Sequence, residues 1–230
     1  MGEGIGNEEL LIPFINSANI ACSYHAGNEA TIQQVIELCL KYNVNIGAHP
    51  SFLDKPNFGR TEMHLPASEI YQLVTEQLAL ISKIALCCGG KLHHVKPHGA
   101  LYNMAAKDVK LAKTIAQAVK DFDASLIYYG LSGSVMITKA ADLGLQTANE
   151  VFADRTYQPD GTLTPRSLSN ALVKNADDAV KQVMKFVKEN KVVTVTGKEI
   201  HVKADTICIH GDGRHAVKFA KAIYQELNEK

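Results

Sequence analysis

The sequence lacks several features that would assign it to a common class of protein. Among its 230 residues, 24 Lys and Arg balance 24 Asp and Glu, so no field of one sign would attract nucleic acid or an anionic membrane surface. No apolar run approaches the roughly 20 residues of a membrane-spanning helix, and the chain does not open with a basic segment followed by an apolar one. These absences predict a cytoplasmic protein that binds a small molecule and neither nucleic acid nor a membrane.

Cysteine is also scarce. The chain has five cysteines, an odd number, and none of them is spaced as Cys-x-x-Cys. Cys22 and Cys208 lie inside apolar strand patterns, and the other three lie on helical patterns. We therefore expect five reduced thiols that serve as small core residues.

What the sequence does contain is a repeated pattern, in which a short apolar stretch leads into a polar cluster and then into a helix. Six such segments occur, at residues 19–27, 44–50, 92–99, 126–130, 150–155 and 206–212. The predicted helices cover residues 29–42 after a cap at Asn28, a long stretch from Pro66 to Gly89, and residues 108–121, 132–143, 177–189 and 213–229. Alternating strands and helices are typical of a parallel sheet whose strands end at one mouth. The pattern predicts one α/β domain over residues 1–230.

Three segments interrupt this alternation. Residues 51–65 and 156–169 are long loops directly after strands, which is where binding loops and lids lie in such folds. Residues 192–202 alternate in polarity and predict a β-hairpin outside the parallel unit.

Six parallel strands form either an open doubly wound sheet or a barrel. Polar residues at nearly every strand end, together with the absence of a Gly-rich phosphate fingerprint, favour a barrel.

The segment Lys-Pro-His-Gly at residues 96–99 is the densest polar cluster. Pro97 removes a backbone donor and Gly99 permits an abrupt turn, so Lys96 and His98 should lie at the rim of the site. Nearby cations would lower the pKa of the lysine, and histidine titrates near neutrality, so the pair could orient an anion and transfer a proton. The alternative is a solvated lysine and a surface histidine.

Three histidines, His25, His49 and His98, each follow a different strand. Imidazoles that meet at one mouth could hold Zn²⁺ with a position open for water. They could equally act as general acids and bases, or as substrate donors, without a metal. No acidic residue accompanies the first two at ligand spacing, which argues against the metal. The histidines without such a context are predicted to be surface or hydrogen-bonded core residues: His64, His93, His94, His201 and His215.

Charged residues follow two later strands. Asp154 and Arg155 place a carboxylate and a guanidinium together, and Arg155 suits a substrate carboxylate unless the two form a purely structural ion pair. Asp212 could cap the last helix, orient His210 or act as a catalytic base. Arg60, in the first long loop, could close over an anion.

These segments resemble the signature blocks of the LamB/YcsF family and occur in the family's order. The matching blocks are residues 17–22 with 25–27, 47–50, 58–60, 95–103, 150–155 and 208–212. They cover almost the whole chain, and the block around Lys-Pro-His-Gly is the most specific of them. The resemblance implies an irregular seven-stranded (β/α) barrel of the glycoside hydrolase/deacetylase type.

The resemblance also implies an activity, the ATP-dependent hydrolysis of 5-oxoproline to glutamate together with two partner subunits of the B and C type. Opening an unreactive lactam needs a base, donors for the oxyanion and an anchor for the carboxylate. The candidate catalytic residues are His25, His49, Lys96, His98, Asp154 and Asp212. The candidate substrate-binding residues are Asn19, Arg60, Asn103, Arg155 and His210. The chain has no Gly-x-x-x-x-Gly-Lys-Ser/Thr loop. We therefore expect the ATP-binding site to be formed largely by the partner subunits.

In one respect the sequence departs from the family pattern. Family members open with a strand that carries an acidic Asp-Leu-Asn-x-Asp-type block before the Gly-Glu found here at residues 2–3, and this sequence shows no such block. We therefore expect six of the seven strands. Two alternative functions are a stand-alone metal-dependent deacetylase or carbohydrate hydrolase, and a non-catalytic subunit that presents a ligand to a partner.

Overall fold

The central element of the fold is a curled sheet of parallel strands. The structure, a computed structural model, describes residues 1–228. The strands, in chain order, are β1 (Ser17–Ala21), β2 (Asn45–His49), β3 (Leu92–Val95), β4 (Ile127–Leu131), β5 (Thr147–Phe152), β6 (Lys191–Val193), β7 (Glu199–His201) and β8 (Thr206–Cys208). The main sheet has the order β1-β2-β3-β4-β5-β8, and every neighbouring pair in it is parallel. The six predicted strands and their common direction are confirmed.

The short antiparallel pair β6-β7 lies outside this sheet, which confirms the predicted hairpin. Within residues 1–228, β1 and β8 are the two edges of the main sheet and share no ladder. The architecture is thus an α/β fold with a curled, partly closed parallel sheet. Because all six strands run the same way, their C-terminal ends lie along one rim.

Helices connect the strands close to where their patterns predict them. They are α1 (Glu8–Leu11), α2 (Glu29–Tyr42), α3 (Ala67–Cys87), α4 (Gly99–Ala105), α5 (Val109–Phe122), α6 (Val135–Asp142), α7 (Ala176–Glu189) and α8 (Ala216–Asn228). The short helix α4 was not predicted, because it begins directly after the turn at His98. The last predicted helix was extended to Glu229, which lies outside the described residues.

Side-chain caps explain where the main helices begin. The Asn28 side chain accepts a hydrogen bond from the Thr31 backbone N–H, and the Thr31 hydroxyl accepts one from the Asn28 N–H, forming a capping box at the start of α2. Asp108 accepts two backbone N–H groups at the start of α5. The predicted cap at Asn28 is confirmed, and it fixes the direction in which the chain leaves β1.

The helix α3 is long and apolar enough to cross a membrane by length and composition, although the sequence led us to expect no such segment. One face of it, including Ile70, Leu78 and Ile81, is buried. Its main contacts are with α5 on the outer layer, and it also contacts β2. This is the packing of a core helix.

The core is a continuous apolar cluster between the sheet and the surrounding helices. All five cysteines are free thiols, as predicted, and Cys22, Cys39 and Cys208 are buried. The prediction of a core position is wrong for Cys87, which is exposed, and for Cys88, which is half-buried, because both lie at the end of α3. Several charged or titratable side chains are nevertheless buried on the same sheet; among them are His25, His49, Lys96, His98, Glu150, Asp154 and Arg155. Buried polar groups require partners, so these side chains mark the candidate site.

Candidate functional site

A cavity of about 440 Å³ runs along the two edge strands of the main sheet and reaches the C-terminal rim. Its volume falls within the range of ordinary small-molecule sites. The predicted site residues that line it are Asn19, His49, Arg60, Lys96, His98, His210 and Asp212. The rim therefore gathers most of the predicted residues around one space.

The first group of side chains, the histidine cluster, consists of Glu3, His49 and His98, which line the cavity, and His25, which is buried and does not line it. His98 Nδ1 lies 2.9 Å from His49 Nε2. The rings of His25 and His98 are stacked with centroids 3.8 Å apart, and His25 Nε2 lies 3.4 Å from Glu3 Oε1. The structure thus brings the three predicted histidines together and adds a carboxylate that the sequence analysis missed.

Backbone and hydroxyl acceptors hold these rings from outside. His49 Nδ1 donates to the Lys96 carbonyl (2.6 Å), and His98 Nε2 donates to the Phe58 carbonyl (2.8 Å). His25 Nδ1 lies 2.9 Å from Ser51 Oγ. Burial lowers the pKa of His25 and lowers the pKa of both His49 and His98 well below the ordinary value. All three rings are therefore neutral at physiological pH.

The Phe-Gly-Arg segment at residues 58–60 owes its position to close packing on this cluster. Gly59 has a φ of +65°, and a Cβ there would lie 2.9 Å from both His25 Cβ and His98 Cδ2. A Cβ on Gly99 would meet the Gly59 carbonyl oxygen at 2.3 Å. Two glycines are required because the loop and the turn after His98 touch backbone to backbone.

The second group, the lysine cluster, consists of Lys96, Tyr102, Glu150 and Cys208. Lys96 Nζ lies 2.6 Å from Glu150 Oε1 and 3.1 Å from Cys208 Sγ, and the Tyr102 hydroxyl donates to Glu150 Oε2 at 2.7 Å. Burial disfavours the ammonium, but Cys208 and Glu150 more than offset this and raise the pKa of Lys96 above its ordinary value. The prediction that neighbouring cations lower the pKa of Lys96 is therefore wrong, and Lys96 stays charged.

Two carboxylates at the rim have roles different from those predicted. Asp154 accepts from both the backbone N–H and the ring Nδ1 of His210, at 3.0 Å and 2.9 Å. Although burial raises it, the pKa of Asp154 is lowered to about 2 by the charge and hydrogen bonds of His210. Asp212 instead pairs with Arg60, 2.6 Å away. The residue that orients His210 is thus Asp154, whereas the sequence analysis considered Asp212 for that role.

Because Asp154 accepts at Nδ1, the tautomer in which the His210 ring acts as a base carries its proton on Nδ1 and has a lone pair on Nε2. The His210 ring lines the cavity and stacks on Phe152, with centroids 5.5 Å apart. Lys96 Nζ lies 4.9 Å from the centroid of the same Phe152 ring. The His210 ring and the Lys96 ammonium therefore both lie against one aromatic side chain, an arrangement suited to a general base beside an oxyanion donor.

Asn19 lines the cavity and is held by a buried histidine. Asn19 Oδ1 accepts from His94 Nε2 at 3.1 Å, and the His94 ring stacks on Tyr129. Burial lowers the pKa of His94 to about 3, which keeps this ring neutral. A Cβ on Gly47 would lie only 2.0 Å from His94 Nε2, which explains the glycine at that position in β2.

Two predicted binding residues lie elsewhere. Arg155 is buried and donates to the carbonyls of Thr164 and Ala171, so it holds the second long loop and does not line the cavity. Asn103 lies on α4 and is exposed, again outside the cavity. Among the other histidines, His94 is a hydrogen-bonded core residue and His64, His201 and His215 are exposed, as predicted, while His93 is half-buried beside His94.

Four side chains of the site are not predicted by the sequence patterns: Glu3, Tyr102, Glu150 and Cys208. Glu150 carried a signal, because a carboxylate inside the apolar run of β5 must have a buried partner. Glu3 carried none, since it lies in an irregular segment with no periodicity. A metal could be held by Glu3, His49 and His98, whose ligand atoms all lie within 4.8 Å of one another. This set contains Glu3 in place of His25, which was one of the three predicted metal candidates.

Comparison with known proteins gives one consistent result. The model of the LamB/YcsF family matches residues 1–230. The chain is 50% identical over 226 residues to the A subunit of 5-oxoprolinase from Oceanobacillus iheyensis, covering 98% of this chain and 88% of the relative. It is 49% identical over 235 residues to the protein of the same name from Staphylococcus haemolyticus, covering 100% and 94%.

A solved structure gives the same result at the level of the fold. The crystal structure of the lactam utilization protein from Thermus thermophilus superposes with a TM-score of 0.93 at 37% identity. The match covers 100% of this chain and 94% of that one.

Proposed function

Because this chain belongs to the LamB/YcsF family, we propose that it is the A-type component of an ATP-dependent 5-oxoprolinase, a hydrolase that opens 5-oxoproline to glutamate. The near-complete coverage of relatives bearing that name supports the substrate. Within the structure, the observation that carries the proposal is that His210 and Lys96 both lie against the Phe152 ring and both line one cavity.

The residues divide the work of lactam hydrolysis as follows. His210 Nε2 removes a proton from the attacking water, and Asp154 holds the ring in the required tautomer and stabilises the imidazolium that forms. The Lys96 ammonium donates to the oxygen that becomes negative. Arg60, on the loop at the cavity wall, binds the substrate carboxylate in exchange for Asp212. His49, His98 and Asn19 shape the remaining wall and supply polar contacts, and His25 packs on His98.

ATP activates the unreactive amide. The ATP-binding site is formed largely by the partner subunits of the B and C type. This assignment is supported by the absence of a Gly-x-x-x-x-Gly-Lys-Ser/Thr loop from the sequence. The relatives are named as one lettered component of 5-oxoprolinase, which is consistent with a multisubunit enzyme. We place this enzyme in the cytoplasm.

The finer form of the fold belongs to the same proposal. A seventh strand on the free edge of β1 would complete an irregular seven-stranded (β/α) barrel. Met1 supports this position, because its terminal ammonium group donates to the Asn19 carbonyl (2.7 Å) and its carbonyl accepts from the Ala21 backbone N–H (2.9 Å). That is the hydrogen-bond pattern of a residue paired in parallel with Ile20.

The test is glutamate production from 5-oxoproline by the chain co-expressed with its B-type and C-type partners. We expect glutamate only when ATP and all three proteins are present. The His210→Gln variant should lower kcat on the order of 10²- to 10⁴-fold, while His201→Ala, a change at an exposed histidine on β7, should leave it unchanged.

Two results would reject the assignment. Full turnover by the partners without this chain would show that the chain has no catalytic role, or that it only presents a ligand to a partner. Hydrolysis by the chain alone without ATP would instead favour a stand-alone metal-dependent deacetylase or carbohydrate hydrolase, for which the Glu3, His49 and His98 group is the relevant observation.

A further inference from the structure

Hydrogen bonds to carbonyl groups fix the tautomers of His49 and His98. His49 Nδ1 faces the Lys96 carbonyl oxygen at 2.6 Å, and His98 Nε2 faces the Phe58 carbonyl oxygen at 2.8 Å. A carbonyl oxygen can only accept, so each of these ring nitrogens carries its proton. In the neutral rings the other two nitrogens, His49 Nε2 and His98 Nδ1, are therefore unprotonated.

These two unprotonated nitrogens lie only 2.9 Å apart. Without a cation between them, two lone pairs would face each other in a buried place, where unsatisfied polar atoms are costly. Glu3 adds a carboxylate, and one ligand atom from each of Glu3, His49 and His98 lies within 4.8 Å of the other two. Three groups that only accept thus converge on one small region, and such an arrangement requires a positive charge at its centre.

The neighbouring His25 repeats the pattern. Ser51 Oγ donates its proton to the Phe52 carbonyl at 2.9 Å, so it accepts from His25 Nδ1 and leaves His25 Nε2 unprotonated beside Glu3. The His25 ring is stacked on His98 with only 7° between their planes. One ion cannot lie in both ring planes, so His25 packs on a ligand and orients Glu3 without being a ligand itself.

We propose that Glu3, His49 Nε2 and His98 Nδ1 form a binding site for one divalent transition-metal ion of the Zn²⁺ type. Two histidines and one carboxylate are a ligand set of catalytic zinc sites, with a fourth position left for water or substrate. The outward N–H groups, donated to carbonyls, match the usual outer hydrogen bonds of metal-binding histidines. This site goes beyond the proposed function, since it does not depend on which substrate enters the cavity.

The required adjustment is small. Around a tetrahedral ion with Zn–N distances of about 2.0–2.1 Å, two ligand nitrogens lie about 3.3 Å apart. The two rings would therefore separate by roughly 0.4 Å from their present 2.9 Å. Both rings approach the cavity from the ends of β2 and β3, so the open position faces the cavity.

A proton is the competing occupant. If one ring were an imidazolium, its N–H would donate to the other ring, and no third ligand would be needed. The metal, in contrast, uses the Glu3 carboxylate directly. The two alternatives differ in stoichiometric metal binding and in the effect of Glu3→Gln.

The experiment uses the purified full chain, stripped with a chelator and titrated with Zn²⁺ by calorimetry and with Co²⁺ by visible absorption. We expect one equivalent of either ion for the wild type and for the surface control His201→Ala. Glu3→Gln, His49→Gln and His98→Gln should each weaken binding by at least about 100-fold, the upper end of the loss seen for outer-shell partners. Circular dichroism establishes that each variant is folded.

Absence of saturable binding by the wild type would overturn the site and favour the shared proton. Equal affinity in wild type and the three ligand variants would also overturn it, because the ion would then be bound elsewhere. If a variant does not fold, paramagnetic shifts of the His49 and His98 ring protons on adding Co²⁺ to the wild type decide the matter, and unshifted resonances would contradict the proposal. None of these measurements uses ATP, partners or turnover, so their failure is separate from failure of the proposed function.

Discussion

The histidine cluster and the lysine cluster both contribute side chains to the same cavity and are largely buried, yet they differ in how their charges are satisfied. In the lysine cluster, Lys96 and Tyr102 both donate to Glu150, so a cation, a hydroxyl and an anion complete one another. In the histidine cluster, the inward-facing atoms of His49 and His98 are both acceptors. The first cluster is complete as the chain folds, whereas the second needs a cation from outside.

This difference separates stability from binding. Removing one member of a complete buried pair leaves an uncompensated charge, which is costly. Removing one acceptor from the histidine cluster removes a repulsive contact along with a hydrogen bond. The main loss is then the capacity to bind a cation. Variants in the two clusters should therefore fail in different assays.

The largest expected effect is on the stability of the lysine cluster. Lys96→Met strands the Glu150 carboxylate, and we expect the free energy of unfolding in urea to fall by about 3–5 kcal/mol. The double variant Lys96→Met/Glu150→Leu should recover part of this loss, with the unpartnered Tyr102 hydroxyl still costing about 1–3 kcal/mol. A loss below about 1 kcal/mol for the single variant, as in exposed ion pairs, would show that the pair is not the buried unit described here.

The next effect concerns the histidine cluster. Zn²⁺ at about 100 times its dissociation constant should raise the free energy of unfolding of the wild type by about 2.7 kcal/mol, because the ion binds only the folded chain. His98→Gln should show no such increment, while Lys96→Met/Glu150→Leu should keep it. Loss of the increment in the double variant would mean that the two clusters are one site.

A smaller effect is expected at His25. Since this ring packs on His98 and orients Glu3, His25→Asn should weaken Zn²⁺ binding by about 10- to 100-fold without changing the stoichiometry. Calorimetric titration measures both quantities. Complete loss of binding would instead make His25 a ligand.

The smallest effect on stability is expected at the exposed pair of Arg60 and Asp212, whose side chains are 37% and 21% accessible. Arg60→Ala should change the free energy of unfolding by less than about 1 kcal/mol but raise KM for 5-oxoproline in the coupled assay. A lower kcat at unchanged KM would show that Arg60 acts on the chemical step and does not anchor the carboxylate.

Much of the fold could be predicted because its signals are local. Strand and helix patterns repeat six times, and parallel strands must end at one rim. That rule placed His49, Lys96 and His98 together, although they are separated by up to 49 residues in sequence. The short helix α4 was not predicted, because residues 96–105 contain both a turn and the helix that directly follows it.

The roles of individual side chains were harder to predict, because they depend on which way each one points. Asp154 and Arg155 are adjacent, yet Asp154 binds His210 at the cavity while Arg155 binds loop carbonyls on the other side. On α4, the helical phase that buries Tyr102 necessarily exposes Asn103. Glu3 is brought to the histidines by tertiary contact alone, and no pattern in the sequence indicates it.

The charge state of Lys96 shows the same limit. Sequence reasoning took its neighbours to be the histidines and expected a lowered pKa. In the structure the nearest charged group is Glu150, from a strand two positions away in the sheet, and the pKa is raised. The sign of the shift is thus decided by a contact between residues 54 apart in sequence, 96 and 150.

The most direct test of the contrast between the two clusters is nitrogen-15 NMR of the histidine rings in the full chain, recorded before and after one equivalent of Zn²⁺. The account predicts that His49 Nε2 and His98 Nδ1 shift on addition of the ion, while the ring nitrogens of buried His94, which already donates to Asn19, stay in place. Unchanged resonances for His49 and His98, or equal shifts for His94, would contradict the claim that the histidine cluster is built around a cation.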